Sequence, residues 1–159
     1  MTNTSQTTTR IATLADLEAL AGQPLGTSSW ITVDQTMINT FADATGDHQW
    51  IHTDVERATQ ESPFGGPVAH GYLTLSLIIP MWSQVLTVDS VVTAINYGLN
   101  KVRFTSPVPA GARVRLSAVL KSVDQLPGNG VQVAVEGVIE LENSERPAVV
   151  AEALYRFFE

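Results

Sequence analysis

Two short segments concentrate side chains able to move protons: Gly46-Asp47-His48-Gln49-Trp50-Ile51-His52, and Ala69-His70-Gly71 at the head of an apolar run. A carboxylate and an imidazole brought together around one water make an acid/base pair that works near neutral pH. Asp47 and His52 are five positions apart. Five helical steps of about 100° would leave them about 140° apart, and an odd spacing on a strand would put them on opposite faces. They converge only if the chain turns between them, which a helix stop at Gly46 followed by a loop would provide. Read alone, the pair also fits a capping Asp and a structural His. His70-Gly71 opens a helix whose first N–H groups and positive dipole end can bind a developing oxyanion, and Gly71 leaves the backbone open to close approach. A small residue packing a helix against a sheet is the other reading of Gly71. His48 is expected to face solvent, and Trp50, Phe64 and Trp82 read as core or interface aromatics.

The elements that must hold these residues follow from periodicity. Residues 1–9 are almost entirely Thr, Ser, Asn and Gln and read as a disordered tail. Leu14, Leu17 and Leu20, with a Thr13 cap, predict a short amphipathic helix ending at Gly22. Residues 28–33 read as a strand. Asp34 caps a helix carrying Met37, Ile38, Phe41 and Ala42 on one face until Gly46. Residues 47–67 are irregular, with at most a short helix near 54–60, and such irregular segments are where chemistry is found. From Val68 to about Val85 apolar residues point in almost every direction, which predicts a buried helix, and Pro80 predicts a kink or a free carbonyl one turn earlier. Period two then governs four long runs, 95–104, 113–123, 131–142 and 148–158, joined by turn-rich connectors in the manner of an antiparallel meander. About 18 helical residues span roughly 27 Å and an 11-residue strand roughly 36 Å, so a long curved sheet can wrap one helix. The expected class is α+β, a sheet around a helix, in a single domain over residues 10–159.

Composition narrows the chemistry. The 159 residues carry a formal net charge of -7, which argues against nucleic acid as a partner, and 44% are hydrophobic, enough for one ordinary core. No cysteine is present, so there is neither a disulfide framework nor a thiolate zinc site, and three histidines among scattered carboxylates do not argue for a metal. The longest nearly apolar stretch, residues 73–82, is too short for a membrane span, and the N-terminus lacks an export signal, so the expected setting is cytosolic. Residues 101–121 hold five basic and no acidic side chains: Lys101, Arg103, Arg113, Arg115 and Lys121. They read either as solvated strand faces or as an anchor for an anionic ligand such as a nucleotide phosphate.

Taken together, residues 41–77 resemble the motif of the MaoC-like, R-specific enoyl-CoA hydratase family. The resemblance rests on Phe41-Ala42, Gly46-Asp47, His52 five residues after the Asp, Phe64-Gly65, and Ala69-His70-Gly71 opening a central helix. It implies a hot-dog fold over most of the chain. It also implies that Asp47 and His52 hold the water that adds to an enoyl double bond, that the Gly71 N–H binds the thioester oxygen, and that Ser76 lines the site. His70, Trp50 and, from the basic segment, Arg103 are the further candidates for substrate binding. Where the family often has Asn-Pro between the pair, this chain has Gln49-Trp50, with the Asp-to-His spacing kept. The implied activity is reversible hydration of a trans-2-enoyl-CoA to the (3R)-3-hydroxyacyl-CoA, without a metal or other cofactor, in a homodimer or a heterodimer. The alternatives are a (3R)-hydroxyacyl dehydratase acting on carrier-protein thioesters, and a non-catalytic thioester-binding subunit, against which the presence of both Asp47 and His52 speaks. For the dimer, the expected junction is the strand at 95–104, because Asn96 and Gly98 are weak in a central strand.

Overall fold

The structure, a computed structural model, describes residues 6–159. Residues 1–5 of the expected tail therefore lie outside the described residues. In the rest of that segment Thr7 bridges Thr27, and Thr9 opens a strand, β1 (Thr9–Ile11), that runs parallel to β4 (Leu86–Val88). The run of Thr side chains that argued for disorder also suits strand pairing.

The four long period-two runs form strands β5 (Thr93–Phe104), β6 (Ala112–Leu126), β7 (Gly130–Leu141) and β8 (Val149–Phe158). They pair antiparallel in the spatial order β6-β7-β8-β5, and β2 (Pro24–Thr27) and β3 (Ile31–Val33) follow one another along the free side of β6. The strand expected at 28–33 is thus confined to β3, and β2 before it was not expected. Ser28, buried between the two pieces, exchanges hydrogen bonds with Leu116, its N–H donating to the carbonyl and its Oγ accepting from the Leu116 N–H. Strand β5 lies at the sheet edge, as its composition suggested, and its register shifts across Asn96 and Gly98.

Leu14, Leu17 and Leu20 belong to a 3-10 turn over Leu14–Leu20 rather than an α-helix, since a spacing of three aligns side chains at three residues per turn. Thr13 and Asp16 form the capping box that starts it. Helix α1 (Gln35–Thr45) begins as expected, with the Asp34 carboxylate accepting from the Met37 N–H at 2.8 Å. It ends at Gly46, whose φ of 77° only glycine adopts without strain. Two short helices follow, α2 (Trp50–Thr53) and α3 (Val55–Glu61), the second capped by Asp54.

The helix expected from Val68 begins later. Residues 67–70 are extended instead, because Ala69 donates to the Val108 carbonyl and Ala110 to that of Pro67. The helix then runs as α4 (Gly71–Ser76) and α5 (Ile78–Val85), interrupted at Leu77. Pro80 supplies the reason: it has no N–H for the Ser76 carbonyl, so the break falls one turn before it. Ile78, Met81, Trp82 and Val85 pack onto the inner sheet face, with the Trp82 ring stacked on Tyr155 at 4.9 Å. Burial is not all-round, however. Tyr72 (72% exposed) and Ile79 (41%) lie on a face that this chain leaves uncovered, next to the exposed apolar side chains of β5.

Candidate active site

The end of α1 places the carboxylate. After Gly46 the chain turns, and the Asp47 side chain stays 54% exposed, accepting a long 3.4 Å bond from the Gln49 N–H and standing 4.0 Å from His70 Nε2. The single turn of α2 then swings His52 inward, where it is buried. Gln35, at the start of α1, braces that turn by donating to the His52 carbonyl at 2.7 Å.

The extended segment 67–70 completes the site. Val68 donates its N–H to the Ile51 carbonyl, and its own carbonyl accepts from His52 Nδ1 at 2.6 Å. A carbonyl only accepts, so the His52 proton sits on Nδ1 and the lone pair on Nε2 is left free. By the same reasoning His70, buried behind, carries its proton on Nε2, which donates to the Asp47 backbone carbonyl at 2.9 Å. The two imidazoles stack with centroids 3.9 Å apart, and Phe41 covers His70 at 5.0 Å. Burial holds the pKa of His52 below the ordinary histidine range, and the nearby His70 acts in the same direction. The Val68 carbonyl and the Asp47 carboxylate oppose them. His52 is therefore a free base at neutral pH.

Asp47, His52 and His70 bring ligand atoms within 4.8 Å of one another, a grouping that could be read as a metal site. His52 would offer its free Nε2, but His70 commits Nε2 to the Asp47 carbonyl and keeps only Nδ1, which is buried. The geometry suits proton transfer better.

His52 forms part of the wall of a cavity of about 350 Å³, together with Gly71, Thr74, Phe104 and Val149. Gly71 is the first residue of α4, so its N–H has no intrahelical acceptor. Its missing side chain also serves packing: a Cβ there would come within 3.2 Å of the Phe104 ring. The packing reading of Gly71 holds, and its N–H stays open at the helix start.

Asp47, His52, His70 and Gly71 come together; the other expected contacts do not join them in this chain. Ser76 donates to the Tyr72 carbonyl and lines a separate, almost wholly apolar groove of about 180 Å³ between the helix and β5, shared with Ile78, Leu99, Ala153 and Tyr155. The helix hydroxyl on the cavity wall is that of Thr74, which is buried and donates to the His70 carbonyl at 3.3 Å; Thr105 and Ser106 also line the cavity. Sequence reasoning passed over Thr74, although it stands three residues after Gly71 and so on the same helical face. Trp50 lies under the Arg57 guanidinium at 4.3 Å. Arg103 is exposed on β5, donating to the Val102 carbonyl, one residue before Phe104 of the cavity wall.

Most of the basic segment belongs to the sheet surface. Arg113 pairs with Glu142, Arg115 with Glu140 at 2.7 Å, and Lys121 with Glu152. The strand-face reading holds for these three, with Arg113 and Lys121 partly solvated and Arg115 largely covered, its guanidinium over the Trp30 ring at 4.5 Å. His48 faces solvent as expected, 3.6 Å from Asp43.

A curved antiparallel sheet holding a central helix is a hot-dog fold, and here Asp47 and His52 converge over the helix start. The model of the MaoC like domain matches residues 16–142. Over 144 residues the chain is 51% identical to 3-hydroxyacyl-thioester dehydratase Z of Mycobacterium tuberculosis, covering 91% of this chain and 95% of that one. It is 50% identical over 139 residues to nodulation protein N of Rhizobium leguminosarum bv. viciae, covering 87% and 86%. Among solved structures, the R-hydratase PhaJ1 of Pseudomonas aeruginosa superimposes with a TM-score of 0.68 at 25% identity, covering 87% of this chain and 82% of that one. The chain belongs to the MaoC-like domain family, as a dehydratase/hydratase of that type. No helix among the described residues is long and apolar enough to cross a membrane.

Proposed function

We propose that this protein hydrates trans-2-enoyl thioesters of coenzyme A reversibly to (3R)-3-hydroxyacyl thioesters. The observation that carries this reading is the free Nε2 of His52 on the wall of a cavity that also contains the head of α4. With the enoyl thioester lying in that cavity, its carbonyl oxygen accepts from the Gly71 N–H. A water held between the Asp47 carboxylate and His52 Nε2 gives a proton to the pair as its oxygen bonds to C3. The π electrons shift to the thioester oxygen as an enolate, which the Gly71 N–H and the helix dipole stabilise. The proton then passes from the pair to C2, so that H and OH are added overall and the pair is restored. Its two members titrate as a unit. Water reaches only one face of the double bond, which sets the 3R configuration.

The reverse reaction, dehydration of a 3-hydroxyacyl thioester, uses the same groups, and the name of the 51% identical relative favours it as the direction of use. Among the described residues Lys101 and Arg103 on β5 make no close ion pair such as Arg113 makes, although Lys101 stands opposite Glu152 of β8 and feels its charge; they are the residues to hold coenzyme A phosphates near the cavity mouth. The apolar groove along α4, α5 and β5 continues the path for the acyl chain. Two copies joined edge to edge through β5 would cover that groove, satisfy the unpaired strand edge, and bury Ile95, Tyr97 and Leu99 with the exposed helix face.

The test is hydration of crotonyl-, octenoyl- and dodecenoyl-CoA, followed by absorbance, with the configuration of each product determined. Turnover to the 3R product supports the proposal; a protein that binds these thioesters without turnover is the non-catalytic subunit instead.

A further inference from the structure

Resting on the hydration reading, we infer that His70 is a positioning residue for the acid/base pair rather than a substrate contact, locating Asp47 through its backbone carbonyl and His52 through its ring face. His70 is 2% exposed and is not among the described residues that line the cavity, so a substrate there does not meet it.

Three observations separate this role from mere packing. Asp47 has little else to fix it: the bonds to its own N–H and carboxylate are both 3.4 Å long, whereas the His70 Nε2–H reaches its carbonyl at 2.9 Å. The same ring lies flat on His52 at 3.9 Å, and the opposite edge of His52 is pinned by Val68, so its Nε2 has no freedom to swing away from the water. The third is a cost. His70 Nδ1 is buried without a partner among the described residues. A phenylalanine would fill the space between Phe41 and His52 without stranding a polar atom there, so packing alone does not call for histidine. What Phe lacks is the Nε2–H to Asp47. One side chain therefore sets the separation of the two reacting groups, and displacement of such groups by about 1 Å costs up to about 100-fold in rate.

The experiment compares the whole protein with His70→Phe and His70→Gln in crotonyl-CoA hydration, with thermal midpoints measured alongside. His70→Phe keeps the stacked ring and loses the donor. Its kcat is expected to fall about 10- to 100-fold, with KM within about twofold and a midpoint within a few degrees of the parent. His70→Gln, whose amide N–H extends to about the position of Nε2, should recover part of that loss. An unchanged kcat in His70→Phe, or equal losses in both variants, overturns the inference. If a variant fails to fold, imidazole ¹⁵N spectra of the parent protein decide it: Nε2–H at His70 and Nδ1–H at His52 are expected, and an Nδ1–H tautomer at His70 contradicts the inference. A parent protein inactive on every enoyl and 3-hydroxyacyl thioester would instead bring down the hydration reading and this inference with it. An active parent with an active His70→Phe brings down the inference alone.

Discussion

The buried base His52 leads to a pH dependence with a definite sign. Protonation of its Nε2 abolishes its role as acceptor, so hydration should fall on the acid side along a limb centred below the usual histidine value of about 6.5. Stability follows the same group. Its native pKa is depressed, so the unfolded chain binds more protons than the native one between the two values, and stability rises with pH there. The contribution of His52 should be fully present above about pH 6.5 and lost as pH falls through that value toward the lower native one. Denaturant titrations of the parent and His52→Gln at several pH values measure this; identical slopes against pH would contradict it. Asp47→Asn and His52→Ala should each lower turnover at least about 100-fold, the double variant being little worse, because the two act as a unit. These residues were legible in the sequence as a carboxylate and an imidazole that a turn must join. The partners that make them work were not. His52 is oriented by the carbonyl of Val68, and a backbone acceptor leaves no mark on residue identity. Thr74 was passed over because a hydroxyl in a helix looks like ordinary solvent-facing polarity until the facing element is known.

Among the elements, long strands and well-capped helices were readable, and short or bridging pieces were not. Strands β5 to β8 came within three residues of their expected ends because alternation over ten or more residues has a single explanation. Residues 68–70 were read as helix from their apolar character, yet the hydrogen bonds of 67–70 go to Ile51, Val108 and Ala110, partners remote in sequence. That extended piece sets His70 against His52. Gly46 controls the other half of the site: Gly46→Ala, forced into a positive φ, should cost about 1 kcal/mol and reduce turnover by shifting Asp47. Full stability with full activity in this variant would deny the turn its role. On β8, burial pushes the Tyr155 phenol up, and its hydroxyl has no partner among the described residues. Tyr155→Phe should therefore leave stability unchanged or raise it by about 1 kcal/mol. A loss of that size on denaturant unfolding would show the hydroxyl to be satisfied.

At the scale of the molecule, the apolar residues of the central helix and of β5 divide into two groups. Ile78, Met81, Trp82 and Val85 are buried by this chain's own sheet, while Tyr72, Ile79, Ile95, Tyr97 and Leu99 are not. Hydrophobic pattern marks a face for burial without saying which chain buries it, which is why the helix read as wholly enclosed. Pairing through β5 is expected to give a mass by light scattering of twice the 17.1 kDa chain or a multiple of it. Leu99→Arg should shift that mass toward the monomer, and a fully active monomer in the unsubstituted protein would refute the shared sheet. The most direct measurement of all is the product of crotonyl-CoA hydration by the purified protein, assayed beside His52→Ala with the two proteins shown to be equally folded. The expected result is (3R)-3-hydroxybutyryl-CoA from the parent and a rate at least about 100-fold lower from the variant. A 3S product, or a variant as active as the parent, would contradict water addition by Asp47 and His52.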